Sequence, residues 1–512
     1  MLPPSLRRFL RPETAFFLLV WGIFQFAFRE RAFFDPGSLW HVKVGELILD
    51  HGFMHTDPFT YTHEGRTWIP QQWGAEVLMA LAHRAAGLDA MLLGFSTLVA
   101  ALYTWVFARM RRAGMHPLLA GVLTGGCLFA GAFHYVARPH MSTIVFLGWT
   151  MACLVDFDRG RATAARLAGL IPLYIVWTNL HGGVLGGVFT LGLAVAGWGV
   201  LFLLQQDSPI KSWRGAWLLV GVVVSCALTP FDNPFGMEMI HTWQRIVGSD
   251  VLKQVVNEHK PLNLANAPDQ VIFGFGVAYL VLFAGTLPRR PRVTWLIPLV
   301  WFALAFQGIR QGPLFAITGA IVLADFWPHT VWYRLLKRYG DTVIQDPPDE
   351  DAGRGWRPYA IPALAVLAVL LLQVFGVSAP LVGRGWARLD PSDSPVELTE
   401  QIREYRRVKG PDARIYNDAN WGGYLIYHLP GMKIYMDDRF ELYGDAWTAD
   451  YVDLIWYHPE RIEGVMDRYD LELALIVTGD ERTKLDLYMS GNDRWTELGR
   501  TKTAVLFRRT KP

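Results

Sequence analysis

In a chain that is 52% hydrophobic and only 18% charged, a small set of polar residues stands where the apolar runs end. The set is Asp35, His41, Asp57, His134, Arg138, His140, Asn179, His181, Asp232, His241 and Arg310. Three kinds of chemistry are open to it. Asp35 suits a general base, with Asp57 as a second acid and His41 as a support. Arg138 and Arg310, with donors from His140, Asn179 and His181, suit a phosphate, for which bidentate guanidinium contact is the strong form. Asp35 and His181 together suit a divalent metal, although no tight ligand spacing accompanies them.

Several of these residues, and three tryptophans near them, also have a plain structural reading. Asp35 followed by Pro36 has the form of a helix N-cap with proline at the first helical position. Asp57 in "TDPF" has the form of a turn. Arg138 before Pro139 suits a side chain reaching for the membrane surface. His181 in "NLHGG" suits a pairing with a backbone carbonyl. Trp40, Trp68 and Trp73 suit interface anchors.

The elements that must position these residues follow from the apolar runs. The length of 512 residues allows two or three domains. A soluble domain carries about 25% charged residues, so much of this chain must be solvated by lipid. The formal net charge of +2 gives no reason to expect a nucleic-acid partner. Cys127, Cys153 and Cys226 all fall in apolar runs, which argues against a disulfide framework or a zinc cluster. A basic start followed by an apolar core, without a small-residue cleavage site, reads as a retained first span.

A spanning helix needs about 20 apolar residues. Candidate runs lie at 13–30, 88–108, 117–133, 141–157, 165–179, 183–204, 216–230, 271–287, 293–308, 311–327 and 358–379. That predicts about eleven spans. "TNLHGG" is either a turn between two of them or a break within one. Every second connection is basic: Arg7, Arg8 and Arg11; Arg109, Arg111 and Arg112; Arg159, Arg161 and Arg166; Lys211 and Arg214; Arg289, Arg290 and Arg292; Arg334, Lys337 and Arg338. Basic loops face the cytoplasm. The N-terminus is therefore expected inside, and the polar set above outside.

The first outer loop, 31–87, is expected to hold two amphipathic helices in the membrane interface, separated by an extended stretch. In the first helix Trp40, Val44, Leu47 and Ile48 form one apolar stripe. The connection 340–357 is acidic and rich in Pro and Gly. Composition changes after the last span. Residues 1–387 read as the membrane domain and 388–512 as a soluble extracytoplasmic α/β domain. Its strands are expected at "ARIYN", "KIYMD", "LALIV" and "TAVLFRR", with a partly parallel sheet. "NWGGYL" and "DDRFELYG" read as fold determinants: glycine turns and an internal Arg–Asp pair.

The order of span, acid, helix, extended loop, helix and span resembles the first outer loop of the GT-C fold glycosyltransferases. More narrowly, "DPGSLWHVKVGELILDHGFMHTDPFTYTHEGRTWIPQQW", "ARPH", "WTNLHGG" and "NDANWGGYLIYHLPGMKIYMDDR" resemble a group of bacterial GT-C-like membrane proteins. The resemblance covers most of the chain in order. It implies a multi-pass protein of the bacterial inner membrane that moves a sugar from a polyprenyl-phosphate carrier to a glycan, lipid or protein acceptor with inversion. It places Asp35 as the catalytic base. Many GT-C enzymes carry two adjacent acids at this point, whereas this chain has Asp35 with Pro36. A lipid or sugar transporter is the first alternative, against which stand the apolar span interiors and the lack of an internal repeat. A non-catalytic assembly or sensor protein is the second.

Overall fold

The computed structural model of the chain describes residues 9–339, 351–391, 394–479 and 482–510. Among these, eight helices are long and apolar enough to cross a membrane. They are Trp73–Arg112, Pro117–His134, Met141–Asp158, Val184–Leu203, Trp213–Phe231, Ala267–Ala284, Ile309–His329 and Arg357–Val374. Three shorter apolar helices accompany them: Pro12–Ala27, Ala164–Leu180 and Val293–Ala305. All of the expected apolar runs are helical, and the chain is a polytopic helical membrane protein. "TNLHGG" is a turn between two helices, because one ends at Leu180 and the next starts at Val184.

Three of the basic connections meet at one end of the bundle. Arg109 approaches Asp156 at 3.4 Å, Arg159 approaches Asp325 at 2.9 Å, and Arg292 approaches Asp158 at 3.5 Å. Arg7, Arg8 and most of the acidic connection lie outside the described residues.

The first loop departs from its expected form in one respect. Helix Pro36–His51 is not laid open along one side. Gly37 to Val42, with Val44 and Gly45, are all buried. Helix Trp73–Arg112 packs on one side of it, and the C-terminal helix Ala419–His428 packs on the other. The protein itself thus covers the face expected to meet lipid. Helix Trp73–Arg112 breaks at Ala86–Gly87, which separates an amphipathic first part from the span proper.

The C-terminal region carries a five-stranded sheet. Its strands are β1 (Arg414–Asn417), β2 (Lys433–Ile434), β3 (Leu473–Val477), β4 (Trp495–Arg500) and β5 (Ala504–Arg509), in the order β2-β1-β3-β5-β4. β1 lies parallel to β2 and β3, whereas β5 runs antiparallel to β3 and β4. The mixed sheet matches the expected α/β character. β4 was not expected; its "WTELGR" exposes most of its residues and lacks an apolar run. The first loop adds to the outer edge of this sheet. Ile434 donates its N–H to the Phe59 carbonyl at 3.0 Å, and Tyr61 donates to the Ile434 carbonyl at 3.2 Å.

"NWGGYL" is helical rather than a pair of turns. A Cβ on Gly423 would stand 2.0 Å from the Pro36 carbonyl oxygen. The glycine is there to let two helices touch at their backbones.

Candidate active site

Asp35 caps helix Pro36–His51. Its backbone is extended, and its carboxylate accepts the Gly37 N–H at 2.8 Å. Pro36 follows with its φ already suited to a helix. The same carboxylate meets Arg138, whose Nη1 lies 2.8 Å away. Two local features bring the arginine there. Ala137 donates its N–H to the Ala32 carbonyl at 2.8 Å, which ties the two loops together. Gly37 leaves space for the guanidinium, since a Cβ there would sit 2.9 Å from Arg138 Cζ. Both side chains of the pair remain 24% exposed, so the pair can be reached from outside.

Histidines gather around this pair. His140 donates from Nε2 to the His134 carbonyl at 2.6 Å, and the two rings stand 4.2 Å apart. The His181 ring lies 6.4 Å from that of His140. His181 Nδ1 accepts from the Gly183 N–H at 3.0 Å and from the Thr143 hydroxyl at 2.8 Å. With Nδ1 accepting, the ring proton must sit on Nε2. Burial, with the Arg138 charge added, holds His181 down to about 3. His181 is therefore a neutral N–H donor across the physiological range.

Residues 257–259 complete the cluster. Glu258 stands 3.4 Å from His134. Burial pushes its carboxyl up, but His134, Arg138, His259 and Arg310 together bring it below its ordinary value. Arg310 donates to His259 Nε2 at 2.7 Å. Burial and Arg310 hold His259 down to about 4. For Arg138, burial is outweighed by Asp35, Asp438 and Glu258, and its charge is reinforced.

Asp438 reaches the same place from the C-terminal region. Its carboxylate accepts the Trp40 indole N–H at 2.7 Å, and it shares the fields of Arg138 and Asp35. Arg439, next in the chain, points elsewhere. It binds Asp437 at 2.7 Å and Asp57 at 2.8 Å, fully buried, with the Trp68 ring 4.6 Å from its guanidinium carbon.

The structure therefore unites Asp35, Arg138, His140, His181 and Arg310. Asp57 and Asn179 lie apart from them, whereas His41 borders them within the electrostatic reach of Arg138 and His181. The Asp57 carboxylate is buried against Arg439 and also accepts N–H groups from Phe59 and Thr60, at 3.2 and 2.9 Å. It is a turn former and an ion-pair partner, not a second acid beside Asp35. His41 is buried on helix Pro36–His51 and faces Glu76 at 2.9 Å. Asn179 is occupied elsewhere. Its amide donates to the Ile175 and Asp232 carbonyls at 2.9 and 2.8 Å, and its oxygen accepts from Trp73 at 2.7 Å. That pins a loop and leaves nothing for a phosphate. As for a metal, no group of three His, Cys, Asp or Glu able to hold an ion occurs among the described residues. Asp35 is taken by Arg138, and His181 Nδ1 by its two donors, so the pair expected to hold a metal is committed to other bonds.

Sequence reasoning missed Glu258, His259 and Asp438 as members. "VVNEHKP" sits in an ordinary polar loop, and "MDDR" shows two acids beside one arginine without showing which is left over.

A cleft of about 540 Å³ opens between helix Met237–Gly248 and residues 440–445. Polar groups of His241, Gln244, Arg245, Glu441 and Asp445 line it.

The molecule is thus a multi-pass membrane protein with a charged, histidine-rich centre at one end of its helices, roofed by a small α/β unit. No family model and no curated protein matches the chain. Among solved structures, it is similar to the arabinofuranosyltransferase AftD from Mycobacteria, at 12% identity over 99% of this chain and 40% of that one, with a TM-score of 0.49. It is also similar to ArnT from Cupriavidus metallidurans bound to undecaprenyl phosphate, at 14% identity over 96% of this chain and 97% of that one, with a TM-score of 0.43. The chain spans about two fifths of the length of AftD.

Proposed function

We propose that the protein is an inverting glycosyltransferase of the GT-C kind. It moves a sugar from a polyprenyl-phosphate carrier to the hydroxyl of a glycan, lipid or protein acceptor, on the extracytoplasmic side of the bacterial inner membrane. The observation that carries this reading is the accessible Asp35–Arg138 pair, with the Nε2–H of His181 and the Arg310 charge grouped around it. Such a group offers a cation and neutral donors to a phosphate leaving group. It also offers carboxylates to an attacking hydroxyl.

The sequence resemblance around "DPGSLWH" supports a place for Asp35 in the reacting centre. The alternation of basic connections supports a cytoplasmic N-terminus. On this reading residues 1–387 hold the lipid carrier, and 388–512 form the outer roof of the reaction chamber.

The test uses the full chain in lipid nanodiscs. Undecaprenyl phosphate is expected to bind, and Arg138→Ala is expected to weaken it by about tenfold or more. Movement of a lipid-linked sugar across proteoliposomes, with no glycosyl transfer and no loss in Arg138→Ala, would reverse the reading in favour of transport.

A further inference from the structure

The geometry points to Asp438, rather than Asp35, as the carboxylate that takes the acceptor's proton, while Asp35 serves to hold Arg138 for the phosphate. This inference rests on the glycosyltransferase reading.

Asp35 is committed twice. It accepts the Gly37 N–H and pairs with Arg138, each at 2.8 Å. A proton taken by Asp35 would break its close pair with Arg138, and breaking a partly buried pair is costly. Among the described residues Asp438 makes no such close ion pair: its carboxylate accepts from the neutral Trp40 indole at 2.7 Å and feels Arg138 only at longer range. The guanidinium of Arg439 is turned into Asp437 and Asp57. Asp438 is thus a carboxylate next to an arginine that does not neutralise it.

Its surroundings set its proton affinity in the useful range. Burial pushes Asp438 up to about 7, Asp35 and Asp437 push the same way, and Arg138 and the Trp40 N–H oppose them. A base is most effective when its proton affinity matches the working pH. Placement agrees. Asp35 caps the helix and Trp40 lies five residues on, about 7.5 Å of helix rise away. Both carboxylates act on the charge of Arg138, one fixed by the helix cap and one by the indole.

The step balances without an added reagent. The acceptor O–H bond breaks and its proton goes to Asp438. The acceptor oxygen forms a bond to the anomeric carbon. The bond from that carbon to the phosphate oxygen breaks, and its electron pair stays on the phosphate, facing Arg138 and the His181 Nε2–H. Asp438 then passes the proton to water.

Dicyclohexylcarbodiimide modifies carboxyl groups that carry a proton, so it reads the site without a known acceptor. The full chain in nanodiscs is labelled from pH 5 to 9, and adducts are mapped by peptide mass spectrometry. Asp438 is expected to label at low pH, with a midpoint near 7. Asp438→Asn removes the adduct. Trp40→Phe, which keeps a ring and loses the N–H, is expected to move the midpoint upward. An adduct on Asp35 with none on Asp438, or labelling of Asp438 that does not change across this range, overturns the inference. Saturating undecaprenyl phosphate is expected to suppress the adduct. If the profile stands but the carrier neither binds nor protects, the glycosyltransferase reading fails while the proton-exchanging role of Asp438 survives.

Discussion

Trp40 and Asp438 are 398 residues apart in sequence and joined by one hydrogen bond of 2.7 Å. That bond brings the last part of the chain onto the helix that the first part begins. Around it the helix cap, the buried Arg439 and the touching backbones at Gly423 form one junction. The consequences of that junction can be measured.

Asp35→Asn keeps an N-cap of nearly equal strength. It removes the charge that holds Arg138. The variant is expected to insert and fold normally, with glycosyl transfer lowered at least about 100-fold. Circular dichroism and the melting temperature check the fold. Full transfer by a well-folded Asp35→Asn protein would exclude any role for this carboxylate in the centre.

Gly37→Ala places a methyl group 2.9 Å from the Arg138 guanidinium carbon. The arginine must swing away, at an overpacking cost of about 1–3 kcal/mol. Weaker binding of undecaprenyl phosphate, with little change in helix content, is the expected result of a calorimetric titration.

Removing the Arg439 charge, as in Arg439→Met, leaves Asp57 and Asp437 buried without their cation. Loss of one partner of a buried pair costs about 3–5 kcal/mol. A clear fall in melting temperature is expected, together with protease sensitivity in both the first loop and residues 414–510. If only one of these segments becomes sensitive, Arg439 does not join them.

His181→Ala removes a neutral donor to phosphate. A hydrogen bond to a charged group contributes about 1.5–3 kcal/mol, so affinity for the carrier phosphate is expected to drop roughly 10- to 100-fold. The pH dependence of binding should keep its shape between pH 5 and 8, because His181 does not titrate there.

Stability should fall in acid in two stages. Below the ordinary histidine value of 6.5, the unfolded chain gains protons that folded His181 and His259 refuse until about 3 and about 4. The unfolded state then binds more protons, so stability declines as pH drops from 6.5 toward 4. Asp57 acts lower. Burial raises its carboxyl, but Arg439 and Thr60 outweigh burial and bring it below its ordinary 3.8. Its contribution is complete above 3.8 and is lost as pH falls through the depressed value. Thermal melts from pH 8 to 3 on Asp438→Asn, a variant without the opposing proton uptake of that raised carboxyl, measure both stages, and a flat curve between 6.5 and 4 would refute the first.

What the sequence made legible was local. The Asp35-Pro36 cap is decided within three residues, and apolar runs declare themselves by length. The strand β3 is a continuous apolar stretch, and β1 and β5 carry short apolar runs bounded by polar residues, which suffice to mark them. What escaped depends on distant partners. Helix Ala419–His428 holds two adjacent glycines, a poor helix signal, and it forms because Gly423 meets Pro36. Asp57 looked free until Arg439, 382 residues on, was seen to claim it. Asp438 is distinguished from Asp437 only by the direction its neighbour takes. No spacing rule reports such pairings.

The strand-like pairing of the first loop with β2 carries a consequence for biogenesis. The Thr62 hydroxyl donates to the Tyr435 carbonyl, 373 residues later in the chain. At about 5–20 residues per second, the loop waits roughly 20–75 s after its own synthesis for the strand edge it must join. During that interval Asp35 and Arg138 can meet, but Asp438 does not yet exist. A nascent protein is therefore inserted before it is competent, and an open strand edge is held in readiness over the whole of translation.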